Sequence, residues 1–135
     1  MKDHQDFSFT CCFSPDGTTL ATGNQDKTIM IYDIRQLSTP LHTLGANVGG
    51  VRSLHFSNDG KYLAMAEPID FVHIFQTSNY EKSQVIDFFG EISGVSFTPD
   101  DQALFIANND ERTGGISEFQ RLHQHNIYHN HSFYI

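Results

Sequence analysis

Three stretches of this chain carry one pattern at one spacing. Phe13-Ser14-Pro15-Asp16-Gly17 leads into Leu20-Ala21-Thr22-Gly23, and Phe56-Ser57-Asn58-Asp59-Gly60 leads into Leu63-Ala64-Met65-Ala66. Phe97-Thr98-Pro99-Asp100-Asp101 leads into Leu104-Phe105-Ile106-Ala107. The three Phe residues stand 43 and then 41 positions apart. A period of roughly 40–45 residues is that of a repeated unit of four short strands. The motif itself is turn chemistry: Pro presets φ, Asp or Asn bonds its own backbone, and Gly supplies a positive φ.

The runs between the turns are short and β-rich. Ile29-Met30-Ile31-Tyr32 has counterparts in Phe71-Val72-His73-Ile74-Phe75 and, more weakly, in Ile116-Ser117-Glu118-Phe119. Fourth strands are expected over residues 41–44 and 83–89. No segment holds a 3.6-residue apolar period over ten residues, so the class is all-β. Strands apolar on both faces need a sheet on each side, the situation of a propeller blade. Val51 and Leu54, with Ile92 and Val95, are expected to fill the core between blades. The predicted architecture is an all-β partial β-propeller of about three four-stranded antiparallel blades, over repeats of about 4–46, 47–89 and 90–122. Residues 123–135 form a His-rich tail or a last outer strand. Propellers usually close with four to eight blades, so the expectation is a fragment of a larger ring, completed by missing blades or by a partner chain.

The first repeat resembles a WD repeat. His4 stands nine positions before Phe13, Thr22 takes the Ser/Thr position, Asp26 the tight-turn Asp, and Tyr32-Asp33 the Trp-Asp ending. The usual Gly before the His is Asp3. The resemblance implies a structural hydrogen-bond network of His4, Thr22, Asp26 and Tyr32, in which loss of one member costs about 1–3 kcal/mol. The later repeats depart from the pattern. They hold Asn47 and Phe88 for His, Met65 and Ile106 for Ser/Thr, and Phe75-Gln76 and Phe119-Gln120 at the end. Glu118 falls where the first repeat has Ile31, so it finds a partner or the third blade frays. Residues 66–73, 86–94 and 107–119 look like the C-terminal repeats of poorly characterised plant and fungal WD-repeat proteins. The family resemblance implies a protein-interaction scaffold or adaptor.

Charge bears on partners. Eight Lys and Arg against sixteen Asp and Glu give a formal net charge of -8. The basic residues are scattered from Lys2 to Arg121, which disfavours nucleic acid and an anionic membrane surface. Other proteins, presenting basic surfaces, are the expected partners. Cys11 and Cys12 are adjacent, so on a strand they point to opposite faces and read as two reduced, buried thiols. The start carries no secretory pattern, and no apolar run reaches the roughly 20 residues of a membrane helix, so a cytoplasmic or nuclear location is expected. Asn130-His131-Ser132 fits a glycosylation acceptor that would then stay unused.

Candidate sites are few. Arg52, Glu67, Asp70 and Glu91 fall near predicted rim turns and are candidates for partner binding, each also readable as ordinary surface charge. His123, His125, His129 and His131 alternate in a way that would place imidazoles on one strand face, an alternative metal site beside the reading as a polar tail. No nucleophile–base–acid set and no phosphate-binding Gly spacing is recognisable; Asp100-Asp101 and Asp110-Glu111 sit in predicted turns. The expectation is therefore a non-enzyme without cofactors, with two alternatives: a His-rich metal-binding module, or a non-functional propeller fragment.

Overall fold

The computed structural model describes residues 8–24, 26–45, 50–81, 83–108, 115–121 and 132–133. Within them the chain is all strands and turns. Blade 1 is a four-stranded antiparallel sheet of β1 (Ser8–Phe13), β2 (Thr19–Asn24), β3 (Thr28–Asp33) and β4 (His42–Gly45), in that order. Blade 2 holds β5 (Ser53–Phe56), β6 (Tyr62–Ala66), β7 (Ile69–Gln76) and the first part of β8 (Ser83–Phe97). Blade 3 takes the second part of β8, then β9 (Ala103–Asn108), β10 (Gly115–Arg121) and β11 (Ser132–Phe133).

The fourth strand expected at 83–89 does not stop there. Its continuation crosses from the outer edge of blade 2 to the inner edge of blade 3, so the two blades form one seven-stranded ladder. The register shifts between Ile92 and Gly94, where a glycine permits the bend. The outer strand β11 departs from the antiparallel pattern: Gln120 and Arg121 pair in parallel with Ser132 and Phe133.

The three turns are near copies of one another. The amides of Ser14, Ser57 and Thr98 donate to the carbonyls of Thr19, Tyr62 and Ala103, each at 2.9 Å. The side-chain hydroxyls of the same three residues donate to Asp16, Asp59 and Asp100 at 2.6, 2.7 and 2.6 Å. Gly17 and Gly60 have φ of +73° and +74°, and Asp101 takes the same left-handed conformation at 59°.

Opposed residues on neighbouring strands share a face, so the registers define what each blade presents. Ala21, Ile29 and Ile31 of blade 1 meet Leu54, Leu63, Met65 and Phe75 of blade 2 in one core, with Val51 between them. Ala64, Val72 and Ile74 on the other face of blade 2 meet Leu104, Ile106 and Phe119 of blade 3, with Ile86, Ile92 and Val95. The four residues expected between blades lie there. Gly23 is a point of close approach: a Cβ there would stand 2.5 Å from Val51 Cγ1. Cys12 packs against the first core, but Cys11 is exposed, contrary to the expectation of two buried thiols. Its side chain lies on the face of β1 turned away from blade 2, along with Phe13, which is 61% exposed. Glu118 does not fray its strand: β10 pairs with β9 from Gly115 to Gln120, and Glu118 stays at the surface.

Candidate functional site

The turns β1–β2 and β3–β4 lie at one end of the sheets, as do β5–β6 and β7–β8. Ile34 N donates to Thr18 O at 3.1 Å, and Thr77 N to Lys61 O at 3.0 Å. Between blades 1 and 2, this end opens into a cleft of about 610 Å³. Asp16 and Asp59 line it from the two motif turns, and Leu41, His42, Phe56 and Tyr80 form its apolar and aromatic walls. The rings of His42 and Tyr80 stand 5.0 Å apart at 46°. The described lining residues include no Lys or Arg. Asp16 Oδ1 accepts from Ser14 Oγ, from Thr18 N at 3.0 Å and from Thr18 Oγ1 at 2.8 Å. Those bonds hold its carboxyl below the ordinary value, the Ser14 hydroxyl contributing most. Burial, with a smaller contribution from Cys12, pushes the Tyr80 phenol up to about 12, so it remains a neutral donor.

The junction between blades 2 and 3 is built differently. Asp101 is 4% exposed, and its carboxylate reaches across to the blade 2 turn. Its Oδ1 accepts from Asn58 N at 2.8 Å and from Asn58 Nδ2 at 3.0 Å, and its Oδ2 accepts from Asp59 N at 2.8 Å. Asn58 Nδ2 also donates to Thr98 O at 3.0 Å. At the first junction the equivalent positions are Gly60 and Pro15. Glycine offers no carboxylate and proline no N–H. The cleft therefore opens where the repeat keeps its usual turn residues, and a clamp forms where both are replaced.

A second polar pair is fully enclosed. Glu67 is 0% and His73 3% exposed, and His73 Nε2 lies 2.7 Å from Glu67 Oε2. The ring of His73 stacks on that of Phe75 at 6.0 Å and 5°. Glu67 occupies the turn between β6 and β7, where blade 1 has Asn24, and His73 takes the position of Met30.

Comparison with known proteins fits this geometry. The family model for the WD domain, G-beta repeat, matches residues 1–33 and 38–66. The chain belongs to the WD-repeat β-propeller family. The small ribosomal subunit protein RACK1 of Schizosaccharomyces pombe is 30% identical over 112 residues, covering 76% of this chain and 35% of that protein. The serine-threonine kinase receptor-associated protein of Gallus gallus is 24% identical over 94 residues, covering 70% of this chain and 27% of its own length. The crystal structure of the RRP9 WD40 repeats superposes with a TM-score of 0.78 at 18% identity, over 88% of this chain and 37% of that one. This WD-repeat chain thus spans about a third of the length of these relatives.

Of the network that the WD pattern implies, His4 lies outside the described residues. Thr22 and Tyr32 are buried on one face of blade 1, where Tyr32 Oη donates to Met30 Sδ at 3.3 Å. Asp26 Oδ1 accepts from Thr28 N at 2.9 Å and from the Thr28 hydroxyl. Thr22, Asp26 and Tyr32 each have further interactions. The four partner-binding candidates all fall at the end of the sheets opposite the cleft. Arg52 is exposed and its amide donates to Ala66 O at 2.9 Å; Glu91 is exposed and pairs with Ile69. Asp70 is the second residue of β7, with its side chain outside the description. Glu67 is the correction: it is interior and bonded to His73, because the β6–β7 turn folds its side chain onto the sheet. His123, His125, His129 and His131 lie outside the described residues. Among the described residues no group of three or more His, Cys, Asp or Glu could hold a metal ion.

Proposed function

We propose that this chain acts as a non-catalytic protein-interaction scaffold built from WD repeats, in the cytoplasm or nucleus. The observation that carries this reading is the outward face of blade 3. Its positions equivalent to Ala21, Ile29 and Ile31, and to Ala64, Val72 and Ile74, are Phe105, Ile116 and Glu118. The six residues in blades 1 and 2 are all 0% exposed. In blade 3, Phe105 is 37% and Ile116 72% exposed, and Glu118 is at the surface. A face of this kind is normally covered, and exposed apolar patches mark interaction sites. A further sheet, from the same protein or from a partner, is the cover that the other two junctions demonstrate. The relatives' names, a ribosomal subunit protein and a receptor-associated protein, belong to proteins that work in assemblies.

Affinity purification with the full chain tests the reading, compared with an Ile116→Asp variant and read by quantitative mass spectrometry. Partners retained reproducibly by the wild type and lost by the variant are the expected result. If no partner is reproducible for either chain, the scaffold reading fails and a non-functional fragment remains.

A further inference from the structure

The clamp at one junction and the cleft at the other point to a ligand for the cleft. We propose that the cleft between blades 1 and 2 binds the basic side chain, Arg or Lys, of an extended peptide segment from a partner protein. The inference rests on the reading of the chain as a protein-binding module and adds the site and its chemistry.

Three observations converge. First, the volume of about 610 Å³ lies within the roughly 300–1,000 Å³ range of ligand sites. Second, its charge is of one sign: Asp16 and Asp59 line it, with no Lys or Arg among the described lining residues. The hydrogen bonds that Asp16 receives favour its ionised form. Third, the walls suit the stem of a long cationic side chain. Leu41, 55% exposed, and Phe56 offer apolar surface to its methylenes, and the aromatic rings of Tyr80 and His42 line the same space beside its head. A small inorganic cation would make no use of those walls, and an anionic ligand would meet two carboxylates.

The repeat supplies its own control. Asp16, Asp59 and Asp100 make the same turn bonds with Ser14, Ser57 and Thr98, but Asp100 lies outside the cleft. The probe is a fluorescein-labelled octapeptide alternating Arg and Leu, with its Glu–Leu counterpart for comparison. Binding to the full chain is measured by fluorescence polarisation, and the site is located by amide chemical-shift changes. The expected result is binding of the Arg peptide alone, weakened by salt, with shifts at Thr18, His42 and Thr77. Asp16→Asn with Asp59→Asn should weaken it at least about tenfold, while Asp100→Asn leaves it unchanged. Circular dichroism establishes that all variants are folded; if the double variant unfolds, Leu41→Lys, on an exposed wall, replaces it. No binding, equal loss in Asp100→Asn, or shifts confined to another surface overturns the proposal. Each of those outcomes leaves the scaffold reading to its own test at blade 3.

Discussion

The two blade junctions bury similar apolar cores and differ in where their polar groups go. Between blades 1 and 2, the buried polar pair is internal to one blade: Glu67 and His73 both belong to the β6–β7 hairpin. Between blades 2 and 3, the polar bonds cross the junction, from Asp101 to Asn58 and Asp59. An apolar core is non-directional and tolerates sliding, whereas hydrogen bonds between turns fix one register. The second junction is thus locked at its turn end and the first is left open there. A repeat array can hold a rigid part and an adaptable part with almost the same sequence.

The largest effect is expected at the enclosed pair. Glu67→Ala leaves His73 buried without its acceptor and should cost about 3–5 kcal/mol in urea unfolding. Glu67→Gln keeps an oxygen for the same bond and should cost distinctly less. A loss below about 1 kcal/mol for the alanine variant would mean that the pair contributes little to blade 2. The covered and open faces come next. Ile74→Ala removes a fully buried side chain between blades and should cost about 2–5 kcal/mol, while Ile116→Ala should stay within about 0.5 kcal/mol in the same titration. Equal effects would show that the blade 3 face is already covered in solution.

The repeats, their strands and the residues between the blades were legible because turn chemistry and apolar patterning are local signals. Phe97-Thr98-Pro99-Asp100-Asp101 already announced a turn. That Asp101 would lock onto Asn58 was not legible, since each substitution alone reads as a lost consensus residue. Only the stacking of blades shows that the two departures complement each other. Glu67 was misplaced for a related reason. A carboxylate in a turn suggests a surface position, and its partner His73 is six residues away across a hairpin whose register the sequence leaves open. Alignment by repeat offers the missing hint: Glu67 and His73 replace Asn24 and Met30, both buried in blade 1. The cleft depends on the space between two turns and has no sequence signature.

The clamp itself can be separated from its backbone strain. Asp101→Ala removes the acceptor of three N–H groups and keeps a side chain in a left-handed conformation, so it should cost about 2–3 kcal/mol. Asp101→Gly loses the same bonds but relieves the conformation, and should be about 1 kcal/mol less damaging in the same unfolding titration. If the two variants are equally stable, the left-handed backbone is not a significant term at this turn. If neither loses stability, the second junction is held by its apolar core alone.

The smallest expected effect reads the opening of the first junction directly. Cys12 packs against the core between blades 1 and 2, and burial pushes its thiol up to about 12; a backbone bond at Phe56 opposes this in part. Cys11, its neighbour, is exposed on the other face. Only the thiolate reacts with iodoacetamide, so at pH 8 Cys11 should be alkylated first and Cys12 more than about tenfold more slowly. Peptide mass spectrometry distinguishes the order. The raised value also fixes the sign of a pH effect. The folded chain holds the Cys12 proton where the unfolded chain has released it, so this contribution is complete below about pH 9 and is lost as pH rises toward 12. Cys12→Ala should flatten that alkaline decline. Asp101→Gly, at the other junction, should leave the Cys12 alkylation rate unchanged. A faster rate in that variant would mean that the two junctions open together, and that the locked and open ends are one cooperative unit.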